Sequence, residues 1–256
     1  MHTSKNTEIS SASEKHKQQE YTELLHAVSH DLQEPLQLIL RHAKVLRDAY
    51  GKKLDDNGAR FVDNLLNNSR RMQSMLDDLL EFSRIGRMET GASEVDLNAV
   101  VREVIDLYQL RLAEIEGQVQ CKELSKVVAD RGQMIRLFQN LIGNAIKFHG
   151  ANPLVVLIEA RHEEGYLELI VEDNGIGIDA ADSDVIFGMF KRLHTQDEYP
   201  GNGIGLAICR RIVSLHGGEI WARPSESRNR GMAVHFTLPR TPCSFEASIE
   251  EACVIN

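Results

Sequence analysis

The chain has 256 residues, 42% hydrophobic and 26% charged, the balance of a globular protein large enough for two modest domains. Its net charge of −9 argues against a nucleic-acid binder, which needs a basic surface. No apolar run approaches the roughly 20 residues of a membrane span, and no secretory leader is visible. Cys121, Cys209, Cys243 and Cys253 lack metal-ligand spacing, so free thiols in a reducing, cytoplasmic compartment are expected.

Residues 1–17 are polar and are expected to be a poorly ordered N-terminal segment. From residue 18, Leu24, Leu25, Val28, Leu32, Leu36, Ile39, Ala43 and Leu46 recur at helical steps and stop at Tyr50-Gly51. Residues 52–57 read as a polar turn. A second helical pattern then runs through Phe61, Leu65, Met72, Met75, Leu76, Leu79, Leu80 and Phe82 to about Gly86. Residues 18–87 thus form an all-α helical hairpin with two apolar stripes. One hairpin cannot cover both, so a dimeric four-helix bundle is expected.

Residues 88–94 read as a linker. Beyond them the pattern changes to an α/β sandwich over 95–240. Helices are expected at 97–114, 133–147 (with Asp130 as N-cap) and 205–215. Strands are expected at 119–122, 127–129, 154–160, 166–172, 219–222 and 232–238. Residues 241–256 form a C-terminal tail with little pattern.

Chemistry-bearing residues fall at defined points on this frame. His30 is followed by Asp31, a carboxylate able to hold one imidazole proton, fix the tautomer and leave the other nitrogen as a nucleophile. Pro35, in mid-helix, cannot donate to the carbonyl of Asp31, and a local bend is expected there. His26 and His42 lack such a setting and read as surface or packing residues. Asn140, Asn144 and Lys147 lie at i, i+4 and i+7, on one helix face. Their amide oxygens suit Mg²⁺ and the ammonium suits phosphate. The competing reading is that both amides merely bond to nearby backbone. Asp173-Asn174-Gly175-Ile176-Gly177 ends a strand, and Gly201-Asn202-Gly203-Ile204-Gly205-Leu206 opens a helix, where free N–H groups favour a phosphate. Neither is a Walker loop or a dinucleotide fingerprint.

Ser29-His30-Asp31-Leu32-Gln33-Glu34-Pro35-Leu36 resembles the phospho-acceptor box of sensor histidine kinases. The segment from Asn140 to Phe148 resembles their N box. The two glycine loops resemble their glycine boxes, shared with the GHKL ATPases. Phe187 and Phe190 resemble the F box. These boxes occur in the family's order over residues 21–238, closest to the phytochrome-like, PAS-associated subgroup. The resemblance implies a HisKA-type dimerisation and phospho-acceptor hairpin followed by a GHKL (Bergerat-type) ATP-binding domain.

By the same resemblance, His30 is the phospho-acceptor and Asp31 its partner. Mg²⁺ is held by Asn140 and Asn144, and ATP by those two with Lys147, Phe148, Asp173, Gly175, Gly177, Phe190, Arg192, Gly201, Gly203, Gly205 and Leu206. The implied partners are a second copy of the chain, a response-regulator receiver domain, and an upstream sensory domain or sensor chain. Residues 195–201 are expected to form a mobile lid, and both F-box phenylalanines to pack mostly in the core. Two departures stand out. Glu34 occupies the position where bifunctional members carry Thr or Asn, which leaves phosphatase activity without its expected residue. Asn202 stands where Thr or Ser is common, a mild change. The alternatives are a GHKL ATPase without histidine transfer, disfavoured by the His30 box, and a nucleotide-binding scaffold that transfers nothing.

Overall fold

The computed structural model describes residues 28–29, 31–85, 91–195, 198–199, 201–225 and 230–239. The chain divides into two compact units, Met1–Arg87 and Met88–Asn256.

In the first unit, residues 31–50 form helix α1, which runs through Pro35 without a break in its helical assignment. A 3₁₀ turn at Gly51–Lys53 leads to α2 (Asp56–Arg84). The Asp55 carboxylate accepts the Gly58 N–H at 2.8 Å and caps α2. Helix α2 therefore begins at Asp56, inside the expected 52–57 turn, because Asp55 supplies the cap. Ala43 of α1 and Val62 and Leu66 of α2 form a small buried cluster, flanked by Leu40 and Leu54. Nearer the other end of the hairpin, Gln33 Nε2 donates to Asp77 Oδ1 at 3.1 Å. Large apolar side chains remain exposed on both helices, among them Leu38, Ile39, Val45, Phe61, Leu65 and Met72.

The second unit is an α/β sandwich. Its five-stranded sheet has the order β2–β4–β5–β7–β6, formed by Gln118–Cys121, Val155–His162, Tyr166–Asp173, Met232–Pro239 and Ile220–Pro224 respectively. Only β2 and β4 run parallel; the remaining pairs are antiparallel. A separate two-stranded sheet joins β1 (Ser93–Asp96) to β3 (Lys126–Ala129). The linker expected over 88–94 is therefore corrected at its end, since Ser93 and Glu94 pair with Ala129 and Val128. With Val95 its one buried residue, β1 is too short to show a period. It is held by a partner strand some thirty residues away.

One face of the larger sheet carries Ile158, Leu169, Val171, Val234 and Phe236, all buried. Against it pack α3 (Leu97–Glu114), α4 (Arg131–Lys147) and α5 (Gly205–Leu215). Phe138 of α4 meets Phe236 of β7 edge to face, with ring centroids 6.0 Å apart. The other face mixes polar groups with the buried Ile170 and Ala233: Glu168 Oε1 lies 2.9 Å from His235 Nδ1, and Trp221 stacks on His235. Among the described residues, no helix is long and apolar enough to cross a membrane. Cys121 and Cys209 are free thiols; Cys243 and Cys253 lie outside the described residues.

Candidate functional site

Helix α4 sets the site. The Asp130 carboxylate accepts the Gln133 N–H at 2.8 Å and starts the helix, as its position in the sequence suggests. Leu137, Leu141, Ile142 and Ala145 are buried, which turns Asn140, Asn144 and Lys147 to a half-buried flank. Asn140 Nδ2 donates to the Arg136 carbonyl at 2.9 Å, so the backbone bond of the competing reading does form. That bond uses the donor and leaves Oδ1, which stands 2.6 Å from where a Cβ on Gly205 would be. Gly205 opens α5, and Ile204 at its N-cap supplies no side-chain hydrogen bond. Leu206 is half-buried in that first turn. An amide oxygen thus stands beside a helix N-terminus whose own N-cap residue offers no side-chain cap.

The first glycine loop is built from the end of β5. Asp173 is buried, and its Oδ1 accepts the Gly175 N–H at 2.8 Å. Asn174 fastens the loop to the start of β4: its Oδ1 accepts from Val155 N at 2.8 Å, and its Nδ2 donates to Pro153 O at 3.0 Å. The Ile176 N–H donates to Phe148 O at 3.0 Å, and a Cβ on Gly175 would overlap that carbonyl. The loop therefore lies directly on the end of α4. Gly177, with φ +78°, packs on Gly231, with φ +136°, and a Cβ on Gly231 would overlap the Asp173 carbonyl. Gly231 was not among the expected site residues. Its one sequence signal is an isolated glycine just ahead of an apolar strand.

The segment between the loops closes the arrangement from another side. Phe187 is buried in a 3₁₀ turn with the Arg210 guanidinium 5.0 Å above its ring. Phe190 corrects the expectation of core packing, being 54% exposed with a φ of 60°. The turn that brings Lys191 O and Arg192 against Gly203 leaves the Phe190 ring outside. Arg192 Nη2 donates to Tyr199 O at 2.8 Å. The Tyr199 ring lies 5.0 Å from Phe148 and 5.3 Å from His194, an aromatic cluster that spacing along the chain does not reveal. Lys147 Nζ sits 4.2 Å over the Phe148 ring and would stand 2.5 Å from a Cβ on Gly201, where φ is +146°. Burial, together with the nearby Arg192 charge, lowers the Lys147 pKa from its ordinary value. Two cations that act on one another beside the glycine loops suit a polyanion. Of the expected lid over 195–201, positions 196, 197 and 200 lie outside the described residues.

The expected residues of the second unit therefore converge where α4, both glycine loops and the 190–192 turn meet. Gly175, Gly201, Gly203 and Gly205 are each crowded by another of these segments, so a larger side chain would fill the cradle. His30 and His26 lie outside the described residues, whereas Asp31 and His42 are exposed positions of α1 in the first unit.

Comparison with known proteins points the same way. Residues 20–87 match the His Kinase A (phospho-acceptor) domain, and residues 129–242 match the histidine kinase-, DNA gyrase B- and HSP90-like ATPases. The chain is 35% identical to the phytochrome-like protein Cph1 of Synechocystis over 212 residues, 82% of this chain and 28% of that protein. It thus spans well under half the length of that relative. The catalytic domain of the histidine kinase ThkA superposes with a TM-score of 0.52 at 31% identity, covering 60% of this chain and 98% of that one. Full-length ShkA, solved in complex with AMPPNP, gives 0.65 at 27% identity, covering 86% of this chain and 46% of that one. The chain belongs to the histidine kinases, carrying a His Kinase A phospho-acceptor region ahead of an ATPase unit of the type named for histidine kinases, DNA gyrase B and HSP90.

Proposed function

We propose that the chain binds Mg²⁺-ATP in the cradle of its second unit and transfers the γ-phosphoryl group to His30. The phosphoryl group then passes to an aspartate on a response-regulator receiver domain. The observation that carries this reading is the convergence just described. Asn140 Oδ1 stands beside Gly205 at the start of α5, Lys147 lies against Gly201 and Arg192 against Gly203 of the second glycine loop, and Asp173 is buried at the end of β5.

Each group has a role its chemistry fits. The Asp173 carboxylate is an acceptor at the base of the first loop, suited to the adenine amino group. The first N–H groups of α5 and the Lys147 ammonium suit the phosphates, with Arg192 close by for the terminal one. Among the described residues there is no cluster of three or more His, Cys, Asp or Glu that would hold a metal by itself. A hard cation keeping water and nucleotide oxygens, with the amide oxygens of Asn140 and Asn144, fits this donor set. Mg²⁺ bound there would neutralise phosphate charge. In the transfer, an imidazole nitrogen of His30 forms a bond to the γ-phosphorus as the bond to the β,γ-bridging oxygen breaks, giving phosphohistidine and ADP. Asp31, next in the chain, is suited to hold the other ring proton.

The reading extends to assembly and setting. Residues 18–87 would serve as the dimerisation and phospho-acceptor region, a second copy covering the apolar side chains that α1 and α2 leave exposed. Residues 95–240 would be the catalytic domain. Sensory input would come from an upstream domain or another chain, and two free cysteines suit a cytoplasmic setting. Incubation with γ-labelled ATP and Mg²⁺ tests the activity. A label stable in base, lost in acid and absent from His30→Gln is expected. Phosphate release without label would indicate an ATPase, and nucleotide binding with neither would indicate a scaffold.

A further inference from the structure

Helices α4 and α5 carry opposite sides of the proposed nucleotide cradle, so how one lies along the other sets its shape. They run antiparallel: Asn140 meets Gly205, Cys209 Sγ approaches the Leu137 carbonyl at 3.9 Å, and Asp130 meets His216. Between those ends Leu137, Ile212 and Val213 are buried apolar residues, with the weak Cys209 thiol bond among them. Apolar contacts are strong but not directional, and they tolerate sliding better than hydrogen bonds do.

A stronger directional contact sits at the end remote from the glycine loop. His216 Nε2 lies 3.1 Å from Asp130 N, and His216 Nδ1 lies 2.8 Å from Ile212 O. A backbone N–H only donates, so Nε2 must accept; the ring proton is therefore on Nδ1 and is donated to the Ile212 carbonyl. Both neighbours are fixed in their own right. Asp130 is the N-cap of α4, and its carbonyl accepts the Met134 N–H at 3.0 Å. His216 ends α5, where Gly217 takes a φ of +73° and the Gly218 N–H donates to Val213 O at 3.0 Å. A Cβ on Gly218 would overlap Thr237 O, so the turn is pressed against β7. The ring thus joins the C-terminal end of α5 to the N-cap residue of α4.

We propose that His216 is a positioning residue for nucleotide binding: its neutral ring clamps α5 to α4 and so keeps Gly205 and the N-terminus of α5 in register with Asn140. The inference rests on the cradle being the nucleotide site. It also gives binding a sensitivity to acid. Protonation puts a hydrogen on Nε2, opposite the Asp130 N–H, and the bond is lost. Burial lowers the His216 pKa from the ordinary 6.5, with the bond to the Ile212 carbonyl and then the Asp130 carboxylate opposing that shift. The neutral clamp is therefore complete above that value and weakens as pH falls below it toward the lowered pKa.

The test uses the full chain, titrated with AMPPNP and Mg²⁺ at pH 7.5 and 5.5, as wild type, His216→Gln and His216→Leu. Gln keeps an acceptor and a donor, whereas Leu keeps bulk alone. The expected result at pH 7.5 is affinity at least ~10-fold weaker for Leu and within ~3-fold of wild type for Gln. In the labelling reaction the Leu variant should raise KM for ATP far more than it lowers kcat. Its Asp130 amide should exchange with deuterium faster than in wild type, and its AMPPNP affinity should change less between the two pH values. A Leu variant that binds AMPPNP like wild type, or protects Asp130 equally, would overturn the clamp. Should the Leu variant fail to fold, a wild type whose Asp130 protection is equal at both pH values, or a Gln variant weakened ~10-fold, would overturn it too. Wild type that binds no AMPPNP would instead overturn the nucleotide reading beneath it.

Discussion

The two units of this chain solve the same problem differently. The α/β unit closes its own core: the inner face of the sheet and the stripes of α4 and α5 bury one another almost completely. Among the described residues the hairpin buries the apolar Leu36, Ala43, Val62, Leu66 and Leu80, while Phe61 is 68% and Leu65 52% exposed. A helix pair has too little width to cover two apolar stripes, whereas a sheet covered by helices is already a two-layer core. The α/β unit is therefore built as a self-sufficient core, and the hairpin leaves apolar surface that the proposed second copy would cover.

That contrast can be broken at several points. His30→Gln should reduce acid-labile labelling by more than ~100-fold while AMPPNP binding stays within ~2-fold, separating acceptor from cradle in one variant. Gly231→Val should destabilise the α/β unit by at least ~3 kcal/mol, since it adds both a strained φ and an overlap with Asp173 O. Gly51→Ala, with nothing within 4 Å of the new Cβ, should shift stability by no more than ~0.5 kcal/mol. Thermal melts of the two variants read the difference; equal losses would mean that the glycine of the cradle is not crowded as described.

Asp173→Asn should weaken AMPPNP binding by ~30-fold by calorimetry, because an amide group replaces a buried acceptor at the strand end. Leu65→Glu should weaken dimerisation ~10-fold or more in sedimentation, with the α/β unit melting unchanged. A smaller, few-fold effect belongs to Lys147. Its pKa is lowered in the free protein, so nucleotide affinity should fall as pH rises through that lowered value and the ammonium is lost. Lys147→Arg should remove this alkaline loss.

Much of this was legible in the sequence because it is local. Gly205 and Leu215 bound α5 as expected, Asp130 caps α4 as its position suggests, and the spacing of Asn140, Asn144 and Lys147 places them on one flank. What was not legible depends on distant partners. Strand β1 exists because Ser93–Asp96 finds Lys126–Ala129, and it carries no period of its own. Gly231 matters because Asp173 presses against it from another strand. Phe148, His194 and Tyr199 cluster across two loops. Phe190 looked like core from its residue type, but a left-handed backbone turn directs it to solvent. Asn140 shows how two readings of one amide need not compete, since its nitrogen serves the helix while its oxygen faces the cradle.

The most direct measurement is ³¹P NMR of the intact chain after a single turnover with Mg²⁺-ATP, compared with the His30→Gln variant. A protein-bound phosphohistidine resonance with matching ADP, absent from the variant, is the predicted result. ADP appearing with inorganic phosphate alone, or a bound signal that persists without His30, would contradict the account.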